Sequence, residues 1–358
     1  MRNHNMDIIR GVAVLGLMYM NAYFFGLFEF GYVPLTNPPL SDHIIQCFSL
    51  IFIDGRFRSL FCLLFGAGLY IQWQRWQSHE KLIKRLKILA VLGLLHGFLL
   101  WAGDILLIYA CAGWLAAKYL TADATLILKR GVQFLLLGAT ITFLISLLEP
   151  SYVISRDADT FIDSYQALHA TFSTLFINNV LMFVLMLIAL PLVTLWMAAG
   201  LMLIGIYLYK QGLFVSGFAT QSCVFITAAA LLLSLFRLLL QWQYSPLSYA
   251  LQEPVNWLAA LFTALLYIQL IVKLCANKAA SVPVLQTAGR LALSLYISQS
   301  VMLFVLFKVI FPEWVLSFNL LDYWLLVTGL VLLQILVCAI YPRYYNDGPL
   351  EALWRRLS

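Results

Sequence analysis

The chain has 358 residues, of which 63% are hydrophobic and only 11% charged, with a mean hydropathy of +0.90. So little polar surface excludes a soluble globular protein and predicts an all-α, polytopic transmembrane helix bundle. The net charge of +6 does not point to nucleic acid, because the basic residues are scattered between apolar runs and form no single patch.

A membrane span needs about 20 predominantly apolar residues. That rule divides the chain into about ten spans: 7–27, 43–75 with a charged interruption, 86–102, 104–120, 128–148, 175–209 broken near Pro191, 219–240, 254–274, 288–311 and 321–342. With both termini cytoplasmic, all 22 Lys and Arg residues except Arg56, Arg58, Arg156, Arg237 and Lys308 fall on the inner side. Arg2 and Lys278 belong to that inner set. The first run continues past the length of a signal h-region without an A-x-A site, so it reads as an uncleaved span. No linker or repeat divides the chain, and 1–358 reads as a single transmembrane domain.

In the first span Asp7 and Arg10 are three apart and share a helix face. They either anchor the helix at the interface or turn Arg10 inward to meet an anionic group. In the second, LIFIDGRFRSLFCLLFGAGL, Asp54, Arg56 and Arg58 interrupt the apolar run, and Asp54 and Arg58 have the i,i+4 spacing of an ion pair that lets a long helix bend. Broken helices at membrane depth are tolerated only against protein or a watery cavity, so an internal polar chamber is expected. Gly66 and Gly68 read as close helix contacts.

Between the third and fourth spans lies the corner Trp101-Ala102-Gly103-Asp104, with His96 before it. Ionisable groups at bilayer depth are costly by roughly 2.5–3.5 kcal/mol each, which makes His96 and Asp104 the first functional candidates. Asp104 is either the N-cap of the next helix or the carboxylate that orients a His96 general base. His43, beside Asp42, is a rival base. The outer segment Glu149 to Ser173 holds Arg156 and three aspartates and is expected to include a surface helix. Arg237, with Gln241 and Gln243, reads as an exposed anchor. Arg290 stands at the inner edge of the ninth span, with Tyr296 and Gln299 on one face within it. The six cysteines have no metal-ligand spacing, so packing is their expected role and no metal is expected.

MDIIRGVAVLG at 6–16, DGRFRSLFCLLFGAG at 54–68, LHGFLLWAGDILLIYA at 95–110, GRLALSLYISQS at 289–300 and GPLEALWRRL at 348–357 resemble the successive motifs of the YeiB family of bacterial inner-membrane proteins, a domain of unknown function. That family resembles in turn the transmembrane acyltransferase superfamily that includes heparan-alpha-glucosaminide N-acetyltransferase. The wider likeness rests on the D-x-x-R-G start of the first span. Its catalytic histidine lies in the loop after that span, ahead of an aspartate like Asp42, whereas the loop here contains no histidine.

The resemblance implies a multi-pass inner-membrane acyltransferase that uses acyl-CoA, such as acetyl-CoA, as donor, and a glycan, lipid or small-molecule hydroxyl or amine as acceptor. His96 and Asp104 form the expected catalytic pair. Arg10, Asp54, Arg56, Arg58, Tyr109, Arg290, Tyr296 and Gln299 form the expected substrate-binding set. The same polar residues would serve a transporter or a lipid- or metabolite-binding membrane protein, and the aromatic-rich outer ends leave a homodimer open.

Overall fold

The computed structural model describes residues 4–148, 154–243, 245–275 and 282–357. Arg2 and Lys278, counted above on the inner side, lie outside the described residues. In chain order the helices are α1 (His4–Asn21), α2 (Leu40–Phe52), α3 (Arg56–Trp76), α4 (His79–Leu99), α5 (Leu106–Ala117), α6 (Ala124–Ser146), α7 (Asp159–His169), α8 (Phe172–Ala189), α9 (Thr194–Lys210), α10 (Leu213–Ser216), α11 (Thr220–Gln241), α12 (Pro246–Cys275), α13 (Pro283–Arg290), α14 (Ala292–Phe304), α15 (Trp314–Ser317), α16 (Leu320–Ile340) and α17 (Pro349–Leu357). No strand occurs among the described residues.

Seven of these segments are long and apolar enough to cross a membrane: those that begin at His4, Ala124, Phe172, Thr220, Pro246, Ala292 and Leu320. The apolar helices α5 and α9 are shorter. Two of the long predicted spans are each a pair of helices. Residues 175–209 divide between α8 and α9 around Pro191, which has no N–H to continue the helical ladder. Residues 43–75 divide between α2 and α3 at Gly55, whose φ of +79° is a left-handed conformation that glycine adopts without strain.

The break between α2 and α3 does not contain the ion pair that the spacing suggested. Asp54 lies outside the helix that Arg58 belongs to, so the i,i+4 geometry does not apply, and no Asp54–Arg58 ion pair forms. The neighbouring Arg56 is fully buried and satisfies the exposed end of α2. Its guanidinium donates to the carbonyls of Ile51 and Asp54, to the Asn256 side chain and to the Ser234 hydroxyl at 3.2 Å. Tyr267 donates to the Phe52 carbonyl at 2.7 Å. A helix end inside hydrocarbon must find such partners, because each unsatisfied carbonyl there costs several kcal/mol.

The bundle closes around α9, which packs against α3, α5 and α6, and around α1, which packs against α3, α12 and α13. Small residues let these helices touch. A methyl group at Gly66 would lie 2.0 Å from the Met202 carbonyl oxygen, and one at Gly205 would lie 1.9 Å from that of Leu63. Gly68, expected to act in the same way, has nothing within 4 Å of such a methyl and faces open space. The expected surface helix is α7, pinned by Phe161 and Leu168. Before it, Arg156 is buried and donates to the carbonyls of Val33 and Leu316 at 3.0 and 3.2 Å.

Candidate functional site

The α4–α5 corner is built by local hydrogen bonds. The amides of Leu100 and Trp101 both donate to the His96 carbonyl, which closes α4. Trp101 then folds over Gly103 so closely that a methyl there would fall 2.4 Å from the indole. The Asn179 side chain on α8 accepts from the Ala102 amide at 2.9 Å and donates to the carbonyls of Gly97 and Phe98 at 2.9 and 3.0 Å. Asn179 was not foreseen; its only signal was an Asn-Asn pair inside an otherwise apolar stretch.

Asp104 makes a contact on each side of the corner. One carboxylate oxygen accepts from the Leu107 amide at 2.7 Å and caps α5, while the other lies 2.8 Å from His96 Nδ1. Both side chains are essentially sealed, at 1% and 0% exposure. With the carboxylate ionised, Nδ1 carries the proton and Nε2 the lone pair. His96 Nε2 has no hydrogen-bond partner, and the imidazole packs against Tyr296 with ring centroids 5.2 Å apart. The Ile105 amide donates to the Tyr296 oxygen at 3.3 Å, which holds that ring at the same corner.

Two cavities approach this corner from opposite ends of the bundle. The first, about 320 Å³, has Arg10, Arg85, Arg290 and Arg355 at its mouth and leucines of α3 and α4 along its walls, and it ends at Ile105, Tyr109 and Tyr296. The C-terminal helix α17 forms one side of that mouth. Its Trp354 donates to the Arg85 carbonyl at 3.1 Å and lies beneath the Arg85 guanidinium at 3.9 Å. Its Glu351 accepts from the amides of Leu293 and Ser294 at the start of α14.

The second cavity, about 410 Å³, reaches Asn21 at the far end of α1, roughly 16 Å from Arg10 at 1.5 Å per residue. It is bounded by the corner from Trp101 to Asp104, by Asp54, Arg58, Arg237 and Glu253, and by apolar residues of α8. Ile105 and Tyr109 line both cavities.

Of the expected residues, Arg10, Arg290, Tyr109 and Tyr296 line the first cavity, and Asp54, Arg58, Tyr109 and Asp104 line the second. Three stand elsewhere. His96 lines neither cavity and sits one layer behind Tyr296. Arg56 is bonded into the α2–α3 break. Gln299 is turned toward α1 and α16, where its amide donates to the Val14 carbonyl and to Gln334 at 3.0 and 2.9 Å. The rival base His43 is exposed while its neighbour Asp42 is buried, accepting from Tyr32 and from the Leu320 amide. Arg237, read from the sequence as an exposed anchor, is buried, donates to Gln241 at 2.9 Å and lines the second cavity. Arg85, Glu253 and Trp354 joined the cavities without a sequence signal beyond their charge or aromaticity.

Residues 208–358 match the domain of unknown function DUF418. The whole chain is similar, at 31% identity covering 96% of the relative, to the uncharacterized protein YeiB of Escherichia coli K12. It is 24% identical, over 99% of its own length and 92% of the relative's, to an uncharacterized 39.9 kDa protein in the amylase 3' region of Bacillus acidopullulyticus. A similarity of 28% identity over 37% of the chain and 36% of the relative links it to the uncharacterized protein YxaH of Bacillus subtilis. No solved structure matches the chain.

Proposed function

We propose, from the premise that this chain belongs to the YeiB family, that it is a membrane acyltransferase that receives an acyl thioester from one side of the bilayer and an acceptor from the other. The observation that carries this reading is the pair of opposed cavities sharing Ile105 and Tyr109 in their walls. The first combines an arginine-rich mouth with an apolar barrel. That is the complement of an acyl-CoA, whose phosphates would meet guanidinium groups while its thioester lies deeper. Ten passages, with both termini cytoplasmic and the chain in a bacterial inner membrane, put this mouth on the cytoplasmic side, where acyl-CoA is found. α2 with α3, and α8 with α9, each then make one passage.

In this reading the acceptor hydroxyl or amine, held in the second cavity, attacks the thioester carbonyl near Tyr109 and Tyr296. A bond from carbon to the acceptor forms, the carbon–sulfur bond breaks, and the thiolate leaves toward the first cavity. Once the Tyr296 side chain turns its phenol toward His96 Nε2, the lone pair there takes the acceptor's proton through that hydroxyl and returns it to the thiolate, with Asp104 holding the tautomer and stabilising the imidazolium. The Tyr296 and Tyr109 hydroxyls in the wall of the first cavity would serve as donors to the developing oxyanion. A transporter is the second reading, because two cavities that share Ile105 and Tyr109 in their walls also describe a solute path with its gate closed.

Purified protein incubated with radiolabelled acetyl-CoA separates the two. Saturable binding that Arg10→Gln or Arg290→Gln weakens, together with label release that Tyr296→Phe and His96→Ala abolish in folded protein, is expected. Absence of acetyl-CoA binding at all concentrations, alongside solute uptake into vesicles, would replace the enzyme by the transporter.

A further inference from the structure

The second cavity has two chemically distinct ends. One carries Asp54, Arg58, Arg237 and Glu253; the other is apolar and includes Phe183 and Met186 of α8. Charged groups at membrane depth ordinarily pair with one another, since an isolated buried charge costs several kcal/mol. Here Asp54 lies within electrostatic reach of Arg56, which is bonded into the α2–α3 break, and of Glu253, Arg237 and Arg58, yet no ion pair joins Asp54, Arg58, Arg237 and Glu253. Glu253 accepts from the Trp257 indole, Arg237 donates to Gln241, and the Nε atoms of Arg58 and Arg237 are buried without a hydrogen-bond partner. Two cationic and two anionic side chains thus face one space with capacity left over. A ligand bearing a single sign of charge would satisfy one pair and repel the other, whereas one with a phosphate and an ammonium satisfies both.

The apolar end points to the source of that ligand. Phe24 and Met186 line the cavity and are each 39% exposed on the bundle surface, so the cavity reaches the face that lipid would cover. α8 is the least enclosed of the long apolar helices, with 11% of its most apolar stretch buried. A volume of about 410 Å³ holds a headgroup and the first part of its chains, while the rest would stay in the bilayer.

We propose that the second cavity binds an aminophospholipid from the adjoining leaflet, its phosphate at Arg58 and Arg237 and its ammonium at Asp54 and Glu253. The binding claim stands on the cavity itself. That the lipid is also the acceptor rests on the acyltransferase reading above. In that role the ammonium first loses a proton to solvent, the neutral amine attacks the thioester carbonyl, the carbon–nitrogen bond forms as the carbon–sulfur bond breaks, and the second nitrogen proton passes to the thiolate. The products are an N-acylated lipid and a free thiol.

The test uses the full chain in nanodiscs made from equal amounts of phosphatidylethanolamine and phosphatidylglycerol, delipidated by stepwise detergent washing and followed by mass spectrometry of the retained lipid. Retained lipid is expected to be enriched several-fold in phosphatidylethanolamine over the starting mixture. Arg237→Gln, Glu253→Gln and Met186→Trp should return it to the starting ratio, and the exposed Lys129→Gln should not. Thermal melting of each variant identifies any that fail to fold, and Met186→Trp at the apolar end keeps the test decisive if the charge variants do not. A starting ratio in the unaltered protein, equal retention of phosphatidylglycerol, or displacement by soluble phosphoethanolamine as readily as by the lipid would overturn the proposal. Enrichment without any thioester consumption would leave the lipid site standing and remove its role as acceptor.

Discussion

His96 Nδ1 lies 2.8 Å from Asp104 Oδ1 across the α4–α5 corner, and the same carboxylate caps α5 through the Leu107 amide. One side chain therefore fixes both the direction of the helix and the tautomer of the imidazole. The two tasks separate on substitution. Asp104→Asn keeps an acceptor for the Leu107 amide and should melt close to the unaltered protein, with the acyl transfer proposed above lost. Asp104→Ala removes the cap, worth about 0.5–2 kcal/mol, and leaves a buried imidazole N–H unpaired, worth a further 1–3 kcal/mol or so. Thermal melting in detergent beside a thioester assay checks this; equal stability for the two variants would contradict it.

Gly66 and Gly68 have opposite surroundings one half-turn apart. Gly66→Ala drives a methyl against the Met202 carbonyl at 2.0 Å and must push α3 from α9, which should lower stability by roughly 1–3 kcal/mol. Gly205→Ala should do the same at the Leu63 carbonyl. Gly68→Ala should be near neutral, since nothing lies within 4 Å. Because Gly68 lines the first cavity, Gly68→Phe should leave the melting temperature little changed while weakening the acyl-CoA binding proposed above. Isothermal binding and melting curves on the four variants test the set together.

Glu351 holds the C-terminal helix to the first turn of α14 through the Leu293 amide at 2.8 Å and the Ser294 amide at 3.1 Å. Glu351→Ala removes acceptors from a helix start, a loss of about 0.5–2 kcal/mol, and frees α17 at one end. Limited proteolysis should clip the C-terminal segment faster in this variant than in the unaltered protein. An unchanged cleavage rate would mean that Trp354 and Arg85 alone hold the helix.

The segments that precede α2 and α7 are tied by Asp157, which accepts from the Thr36 hydroxyl at 2.7 Å and the Thr36 amide at 3.3 Å. These bonds favour the ionised form and hold the Asp157 carboxyl below the usual carboxylate range. A depressed native pKa gives a contribution that is complete above the unfolded value of roughly 3.9 and is lost as pH falls through the native one. Hydrogen exchange at the Thr36 amide, corrected for its intrinsic pH dependence, should therefore show constant protection from neutral pH to near pH 4 and less below it. In Asp157→Asn that acid-side change should disappear.

The amino-acid sequence by itself determined the all-α membrane class, the breaks at Gly55 and Pro191, and the corner that carries His96 and Asp104 either side of it, whereas their contact at 2.8 Å came from the structure. These features are local: total apolar content, helix breakers, and two polar residues eight apart across a short turn. Only the tertiary structure decided which way the side chains face. A helix that is apolar all round carries no stripe to mark its inner face, because lipid and protein interior are equally acceptable to leucine. Hence Gln299, on the same helix as Tyr296, turned toward α1 and α16 while Tyr296 reached the cavity. Arg237 turned inward to line the same space as Glu253, on the following helix, and Asp54, far from both in sequence. The imidazole ended one layer behind the cavity wall because α14 places the Tyr296 ring between them. Long-range packing sets all three positions, and no spacing along the chain encodes it.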